Sequence, residues 1–190
     1  ADNAFPPWPS HDPIVAGVLN CTRERYNEWR FELKTGDFLA DAGAAVERVS
    51  HLIENRTLVT FNGRGFDLPV LHYRGLMHQV QAPRYWDMGE GDYRDSKDFK
   101  WNNYISRYHM RHLDMMDLLA KFNGRANAPL DGLAKLCGFP GKMGMDGSQV
   151  WPAYQAGKIN DIRRYCETDV VNTYLMYCRF QLLRGGFSLE

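Results

Sequence analysis

The stretch Thr57-Leu-Val-Thr-Phe-Asn-Gly-Arg-Gly-Phe-Asp67 decides the fold class of this chain. Residues 57–61 are β-branched or apolar for the most part, which predicts a short buried strand. The Asn-Gly pair that follows is a turn signal, and Asp67 with Pro69 in the first turn is typical of a helix N-terminus. Because the strand runs through a short turn into a helix, the sequence predicts an α/β protein.

The segments on either side extend this prediction to a mixed central sheet flanked by helices. Upstream, two predicted strands, Ile14 to Leu19 and Trp29 to Leu33, form a hairpin through a polar turn over 20–28. A helix with Asp37 as its N-cap then ends near Asn55. Downstream, the pattern predicts a helix from Asp67, a strand or helix edge over 112–119, a helix over 130–136, a glycine-rich loop over 141–147, a helix over 148–156 and a long amphipathic helix over 160–183.

Length and composition limit the class of protein. With 190 residues, 44% of them apolar and 24% charged, the chain is predicted to be one globular domain over 1–190. A formal net charge of zero argues against a protein that coats nucleic acid through a global positive field. Residues 5–9 form a proline-rich, extended lead-in. Residues 1–10 contain no basic segment followed by an apolar one, as a secretion signal would, and no apolar run would span a bilayer, so we expect a cytoplasmic protein without a membrane partner. The four cysteines form no Cys-x-x-Cys pair, which argues against a zinc site.

Asp67 has a functional and a structural interpretation. A carboxylate at the end of a sheet strand projects beyond the sheet edge, where loops leave room for a substrate, so Asp67 is a candidate metal ligand. The structural alternative makes Asn62 and Gly63 a tight turn and Asp67 a helix N-cap. Composition alone favours the structural alternative.

A second candidate, Tyr165-Cys-Glu-Thr-Asp169, lies inside the long predicted helix. A spacing of four residues places Tyr165 and Asp169 one turn apart on the same face. We expect Asp169 to be half-buried and to need a partner, either a cation or several hydrogen bonds; a salt bridge to a nearby arginine is the structural alternative. It borders the predicted core stripe of the helix, which consists of Ile162, Cys166, Val170, Tyr174 and Tyr177.

Taken together, the two candidates resemble a bacterial family of predicted 3′–5′ exonucleases related to the proofreading exonuclease domain of family B DNA polymerases. The patterns Asn62-x-x-x-Phe66-Asp67 and Tyr165-Cys-x-x-Asp169 resemble its second and third exonuclease motifs. The resemblance covers about 5–184. It is also carried by the stretches His112 to Leu119, Gly138 to Gly147 and Tyr165 to Tyr174.

The resemblance implies a ribonuclease H-like fold, as in the DnaQ-type exonucleases, and hydrolysis of nucleic-acid 3′ ends, as in DNA proofreading and repair. By this match Asp67 and Asp169 are catalytic acids and ligands of two divalent metal ions. Tyr165 matches the tyrosine that orients the attacking water, with help in deprotonating that water as a second role, and this match assigns the tyrosine subtype. Asn62 and Phe66 match the residues that contact the 3′-terminal nucleotides.

The first motif of the family, an Asp-x-Glu pair on the opening strand, has no counterpart in this sequence. None of the eight glutamates has an aspartate two residues before it. Because the proline-rich lead-in should lie downstream of that strand, we expect the chain to be N-terminally incomplete. A degenerate relative is the alternative.

The expected cofactors are two Mg²⁺ or Mn²⁺ ions, because carboxylate oxygens select hard cations and two such ions supply a hydroxide and stabilise the leaving oxygen. The expected partners are single-stranded 3′ ends, with DNA favoured only through the polymerase resemblance. A 3′–5′ exoribonuclease or a catalytically dead nucleic-acid-binding module on the same fold are the alternatives.

Three further features have two interpretations each. Asp114 is either an acid near the metals or a surface or capping carboxylate. Lys142, in the glycine-rich loop, either reaches the scissile phosphate or is solvated. Residues 84–111, where no element is predicted, combine charge with aromatics and either grip a single strand or form a surface loop whose aromatics pack on the core.

Overall fold

The computed structural model describes residues 11–25 and 28–186, so the predicted lead-in over 5–9 lies outside the described residues. The chain divides into two compact units. The first unit consists of Phe38–Leu118 with the described part of Ala1–Ile14, and the second of Val15–Asp37 with the described part of Leu119–Glu190. In chain order the elements are β1 (Val15–Arg25), β2 (Glu28–Asp37), α1 (Ala42–Ile53), β3 (Leu58–Thr60), α2 (Asp67–His78), α3 (Pro83–Trp86), α4 (Ser96–Phe99), β4 (His112–Asp114), α5 (Met115–Leu119), α6 (Leu130–Leu136), α7 (Val150–Gln155) and α8 (Ile159–Leu183).

The second unit is built on the β1–β2 hairpin and α8, which packs on it. Gly17 allows the helix to come close, since a Cβ there would lie 3.0 Å from both Cys166 Sγ and Val170 Cγ2. Further along, the rings of Phe31 and Tyr174 meet edge to face with centroids 5.5 Å apart. The contacts made by Cys166, Val170 and Tyr174 therefore confirm this part of the predicted stripe.

The predicted hairpin is confirmed, but its strands are longer than the sequence indicates. Residues 20–25, predicted as part of a polar turn, continue β1 and pair with β2. Polar residues suit this part of the strand because its side chains are largely exposed, so polarity alone does not mark a turn here.

The first unit contains the parallel pair β3–β4, in which Leu58 lies opposite His112 and Thr60 opposite Asp114. Both strands therefore end at the same edge, and the chain leaves that edge through the segment that leads into α2. Leu68 at the start of α2 joins a buried core that Tyr85, Phe99 and Tyr104 complete.

Two predicted helix caps are wrong. Asp37 lies in β2 and pairs with Arg163, whereas the N-cap of α1 is Asp41, whose Oδ1 accepts a hydrogen bond from Ala44 N at 2.9 Å. Asp67 is the first residue of α2, and Phe66 is its N-cap. Periodicity locates a helix but does not choose between neighbouring candidate caps, because caps depend on the local backbone.

Residues 84–111 form two single-turn helices, α3 and α4, with loops organised around Arg84. Arg84 is 2% exposed, and its guanidinium bonds to Asn55, Asp87 and Asp95 and lies over the Phe99 ring. The packed-core interpretation is confirmed for three aromatics, while a strand-gripping role stays a prediction for the exposed ones. The buried aromatics are Tyr85, Phe99 and Tyr104; the exposed ones are Trp86, Tyr93, Trp101 and Tyr108.

The mixed α/β character is confirmed, and so are the predicted helices over 130–136 and 160–183 to within a residue. The segment over 112–119 is a strand followed directly by a helix. Instead of one mixed sheet, the described strands form two separate two-stranded sheets, one antiparallel and one parallel. None of the helices in the described ranges has the length and apolarity needed to cross a membrane.

Candidate functional site

The turn after β3 carries three of the predicted site residues, Asn62, Phe66 and Asp67. Asn62 has a left-handed φ of 63°, which asparagine tolerates better than most residues. Its amide oxygen folds back over the turn, so a Cβ on Gly65 would lie only 2.4 Å from Asn62 Oδ1. Glycine at position 65 is therefore required for Asn62 to keep this orientation.

Gly63 is still more restricted. A Cβ at this position would lie 2.5 Å from Thr60 Cβ and 2.6 Å from Thr60 Oγ1, at the end of β3. The carbonyl of Gly63 also accepts a hydrogen bond from Leu68 N at 2.9 Å, which joins the turn to the first turn of α2. The position of Asp67 at the start of α2 consequently depends on the backbone of this turn.

Arg64 fastens the turn to the neighbouring loop. Its guanidinium donates to the carbonyl oxygens of Ile105 at 3.0 Å, Ser106 at 3.2 Å and His112 at 3.1 Å. Burial lowers the pKa of Arg64, and the nearby charge of Asp114 opposes that shift. The side chain of Arg64 thus holds the backbone of its own unit together.

His112, opposite the start of β3, is buried beneath the same turn. Its Nε2 lies 2.9 Å from Thr60 Oγ1. Burial, aided by the charge of Arg64, lowers the pKa of His112 to about 3. The imidazole is therefore neutral at physiological pH and acts as a structural hydrogen-bonding group.

The two predicted site residues at the N-terminus of α2 face solvent. Phe66 is 37% exposed, and its ring meets that of His11 edge to face at a centroid distance of 5.9 Å. Asp67 is exposed in the first turn of α2, where the helix dipole favours a negative charge. Both positions are accessible to a ligand.

Tyr165 and Asp169 lie one turn apart on α8, and the Tyr165 hydroxyl donates a hydrogen bond to the Asp169 carboxylate. Both are half-buried, as predicted for Asp169. The salt-bridge alternative is not observed for the two arginines nearest in sequence: Arg163 pairs with Asp37, and Arg164 lies 4.0 Å from the carboxylate of Asp161.

Electrostatics at this pair favour neutral forms. Burial raises the pKa of Asp169, while the hydrogen bond from Tyr165 and the charge of Lys142 lower it. Burial, followed by the charge of Asp169, raises the pKa of Tyr165 far above its usual range. The Tyr165 hydroxyl therefore stays protonated at neutral pH and acts as a donor.

The glycine-rich loop over 141–147 borders the pair. Gly141 N donates to Asn172 Oδ1 at 3.2 Å and Gly141 O accepts from Asn172 Nδ2 at 2.9 Å, which fixes the loop to α8. At the other end, a Cβ on Gly147 would lie 4.0 Å from Tyr165 Oη. Lys142 is exposed in between, and its backbone N donates to Asp131 Oδ1 at 2.7 Å.

The structure brings Tyr165 together with Asp169, and places Asn62, Phe66 and Asp67 on one turn. Asp67 belongs to the first unit and Asp169 to the second, so their role as ligands of the same two metal ions stays a prediction. Within the described ranges, no group of three or more His, Cys, Asp or Glu residues is placed to hold a metal ion.

Comparison with known protein families gives a match to one family model. Residues 3–190 match a family of predicted 3′–5′ exonucleases related to the exonuclease domain of PolB. The chain belongs to this family. The resemblance noted in the sequence is thereby confirmed over almost all of the chain, and this exonuclease family is, at a coarse level, one of nucleases and therefore of hydrolases. No curated protein matches the chain.

Sequence reasoning missed that the turn over 62–67 is held by residues far away in the sequence. It gave Arg64 no role and left Asp114 undecided between an acid near the metals and a surface or capping carboxylate; the surface interpretation is wrong, because Asp114 is buried. The usable signal was the aspartate in the predicted strand or helix edge over 112–119, because parallel strands bring their ends to one edge.

Proposed function

We propose that this protein is a metal-dependent 3′–5′ exonuclease of the tyrosine subtype, with a ribonuclease H-like fold, that hydrolyses single-stranded 3′ ends and prefers DNA to RNA. The observation that carries the proposal is the hydrogen-bonded Tyr165–Asp169 pair, half-buried on α8 beside a glycine-rich loop. Membership in a family of predicted 3′–5′ exonucleases supports the same reaction.

The carboxylates fit hard divalent ions such as Mg²⁺ or Mn²⁺. Burial has raised the pKa of Asp169, and a carboxylate in that state gains from a cation beside it. Asp67 is exposed in the first turn of α2. Asp67 and Asp169 would hold the ions, which when bound supply a hydroxide at neutral pH and stabilise the leaving oxygen.

Tyr165 orients the nucleophile instead of acting as the base. A general base needs a pKa near the working pH. Burial and the charge of Asp169 raise the pKa of Tyr165 away from that range. Its protonated hydroxyl can donate to Asp169 and accept from a water molecule, which aligns that water for attack.

Asn62 and Phe66 would bind the 3′-terminal nucleotides. Phe66 is exposed enough to stack on a base, an interaction that tolerates any sequence. Asn62 carries a side-chain amide, a group that can form hydrogen bonds with a nucleotide. Because stacking and amide contacts need no global positive charge, a net charge of zero is compatible with this role.

The test uses the full-length protein and a single-stranded DNA labelled at its 5′ end, with Mg²⁺ or Mn²⁺. We expect stepwise shortening from the 3′ end, which Asp169→Ala abolishes because it removes a metal ligand. Tyr165→Phe keeps the ring but removes the donor, so we expect a loss of about 10²–10⁴-fold and a measurable residue of activity. The matched control is Asp161→Ala, an exposed aspartate on the same helix, which should retain full activity.

Three outcomes would contradict the proposal in different ways. Faster shortening of the matching RNA would make the protein an exoribonuclease. Tight binding of the strand without cleavage at any Mg²⁺ or Mn²⁺ concentration would make it a binding module. Equal losses for Asp161→Ala and Asp169→Ala would remove the assigned role of Asp169.

A further inference from the structure

Asp114, the last residue of β4, has a side chain withdrawn from solvent: the residue is only 3% exposed. A buried carboxylate is stable only when its oxygens accept several hydrogen bonds or meet a cation. Here the requirement is met mainly by backbone amides. Oδ1 accepts from Asn62 N at 2.9 Å, Met116 N at 3.1 Å and Asp117 N at 3.5 Å, and Oδ2 accepts from Arg64 N at 2.9 Å and Thr60 Oγ1 at 3.3 Å.

These donors come from both sides of the sheet edge. Thr60 ends β3, Asn62 and Arg64 form the turn that follows, and the remaining amides open α5. β3 and β4 pair only as far as Thr60 and Asp114, so the sheet ladder gives the turn no further hydrogen bonds from β4. Beyond the last backbone pair, the carboxylate of Asp114 instead connects β4 to the turn through hydrogen bonds from the amides of Asn62 and Arg64.

The turn needs this connection because its conformation is not favourable by itself. Asn62 has a positive φ, and Gly63 and Gly65 pack within distances that no Cβ would permit. Two amide hydrogen bonds to one buried carboxylate, 50 and 52 residues away in sequence, fix the first and third residues of the turn.

The hydrogen bonds also reach the predicted site. Gly63 O accepts from Leu68 N, so the backbone that Asp114 fixes is bonded directly to the first turn of α2. Phe66 and Asp67 lie between those two residues, Phe66 as the N-cap of α2 and Asp67 as its first residue. A shift of the turn therefore moves Asn62, Phe66 and Asp67 together.

We propose that Asp114 is a positioning residue of the exonuclease site, which acts through the Asn62 and Arg64 amides to hold Asn62, Phe66 and Asp67 in place. The inference rests on the proposed function. It assigns Asp114 neither contact with the metal ions nor a role as a helix cap alone.

The kinetic test compares Asp114→Ala with Asp114→Asn in the full-length protein. Because a misplacement of about 1 Å can cost about 10²-fold, we expect Asp114→Ala to lower kcat by about that factor. It should also raise KM by about tenfold, since Asn62 and Phe66 would no longer meet the terminal bases. Asp114→Asn keeps an acceptor at Oδ1 but turns an amide group toward Arg64 N, so its effects on both constants should be smaller.

The rise in KM separates positioning from simple loss of folded protein. A smaller folded fraction lowers the apparent kcat and leaves KM unchanged. Asp117→Ala is the matched control, because this carboxylate lies three residues further on and pairs with the exposed Arg107. An unchanged KM in Asp114→Ala, or equal effects of Asp117→Ala and Asp114→Ala, would overturn the inference.

Amide hydrogen exchange tests Asp114 without any substrate. In Asp114→Ala, exchange at the Asn62 and Arg64 amides should rise by at least about tenfold, while amides within α8 keep their protection. If the wild-type protein does not cut DNA or RNA, the proposed function fails and the exchange result still decides whether Asp114 holds the turn. If the wild type cuts and the exchange at Asn62 and Arg64 is unchanged, Asp114 has no such role and the proposed function stands.

Discussion

The Asn62–Asp67 turn and the Tyr165–Asp169 segment of α8 present their site residues in opposite ways. On α8 a spacing of four residues within one long helix places the tyrosine hydroxyl on the aspartate. In the turn, the same precision requires a left-handed asparagine, two glycines and a buried carboxylate 52 residues from Asn62.

The difference predicts where the protein tolerates change. A site on a regular helix keeps its internal geometry as long as the helix forms, because periodicity fixes it. A site on a turn depends on every group that fixes the backbone, including groups that never touch a substrate. Substitutions near the turn should therefore have larger effects than comparable substitutions near α8.

The largest difference is expected between two glycine substitutions. Gly63→Ala forces a Cβ to within 2.5 Å of Thr60, whose hydroxyl forms hydrogen bonds with His112 and Asp114. The substitution should therefore destabilise the protein by about 1–3 kcal/mol. Gly147→Ala meets only Tyr165 Oη at 4.0 Å and should change stability by less than about 0.5 kcal/mol. Urea denaturation of both variants measures the difference.

Equal stability losses for these two variants would break the comparison. That result would mean that the turn relaxes around an added methyl group as easily as the loop beside α8. If Gly63→Ala keeps the urea midpoint of the wild type but alters amide hydrogen exchange at Asn62, the structural change is confined to the turn.

The next largest expected effect is a loss of folding stability at acidic pH, caused by His112. The pKa of His112 is lowered from 6.5 to about 3 in the folded state, so its contribution to stability is present above pH 6.5 and is lost as the pH falls toward 3. Between pH 7 and pH 5 this loss amounts to about 2 kcal/mol. Denaturation curves at the two pH values should show it in the wild type and not in His112→Gln.

His51→Gln is the control for this acid effect, because His51 has a 60% exposed side chain and leaves His112 in place. It should retain the loss of stability in acid. Asp169 acts in the opposite direction: burial raises its pKa, so protonation of Asp169 favours the folded state as the pH falls. A wild type more stable at pH 5 than at pH 7 would show that Asp169 outweighs His112.

The smallest expected effect is a pKa change at α8. Tyr165→Phe removes the hydroxyl that stabilises the charged carboxylate, so the pKa of Asp169 should rise further. A carbon-detected NMR titration of the Asp169 carboxyl group measures it. Tyr154→Phe, which removes a hydroxyl from α7, should leave that pKa as it is. An unchanged pKa in Tyr165→Phe would mean that the hydrogen bond does not control the charge of Asp169.

The sequence predicted the elements best where a long periodic pattern existed. The helix over 160–183 is α8 to within one residue, because its pattern extends over many turns. Helix starts were predicted less well. The sequence predicted Asp37 and Asp67 as N-caps, whereas the N-caps of α1 and α2 are Asp41 and Phe66.

No element was predicted in 84–111 because its order does not come from periodicity. It depends on the buried guanidinium of Arg84, which reaches Asn55, 29 residues away, and on carboxylates in the loop itself. Such contacts between irregular segments leave no repeating signal in the sequence.

The sequence by itself determined that Tyr165 and Asp169 share a helix face, and that a turn carries Asn62, Phe66 and Asp67, since both follow from the local chain. Only the tertiary structure decided what holds that turn. Parallel pairing of β3 with β4 sets Asp114 beside Thr60, and the burial of its carboxylate at that edge requires the amide donors that the turn provides.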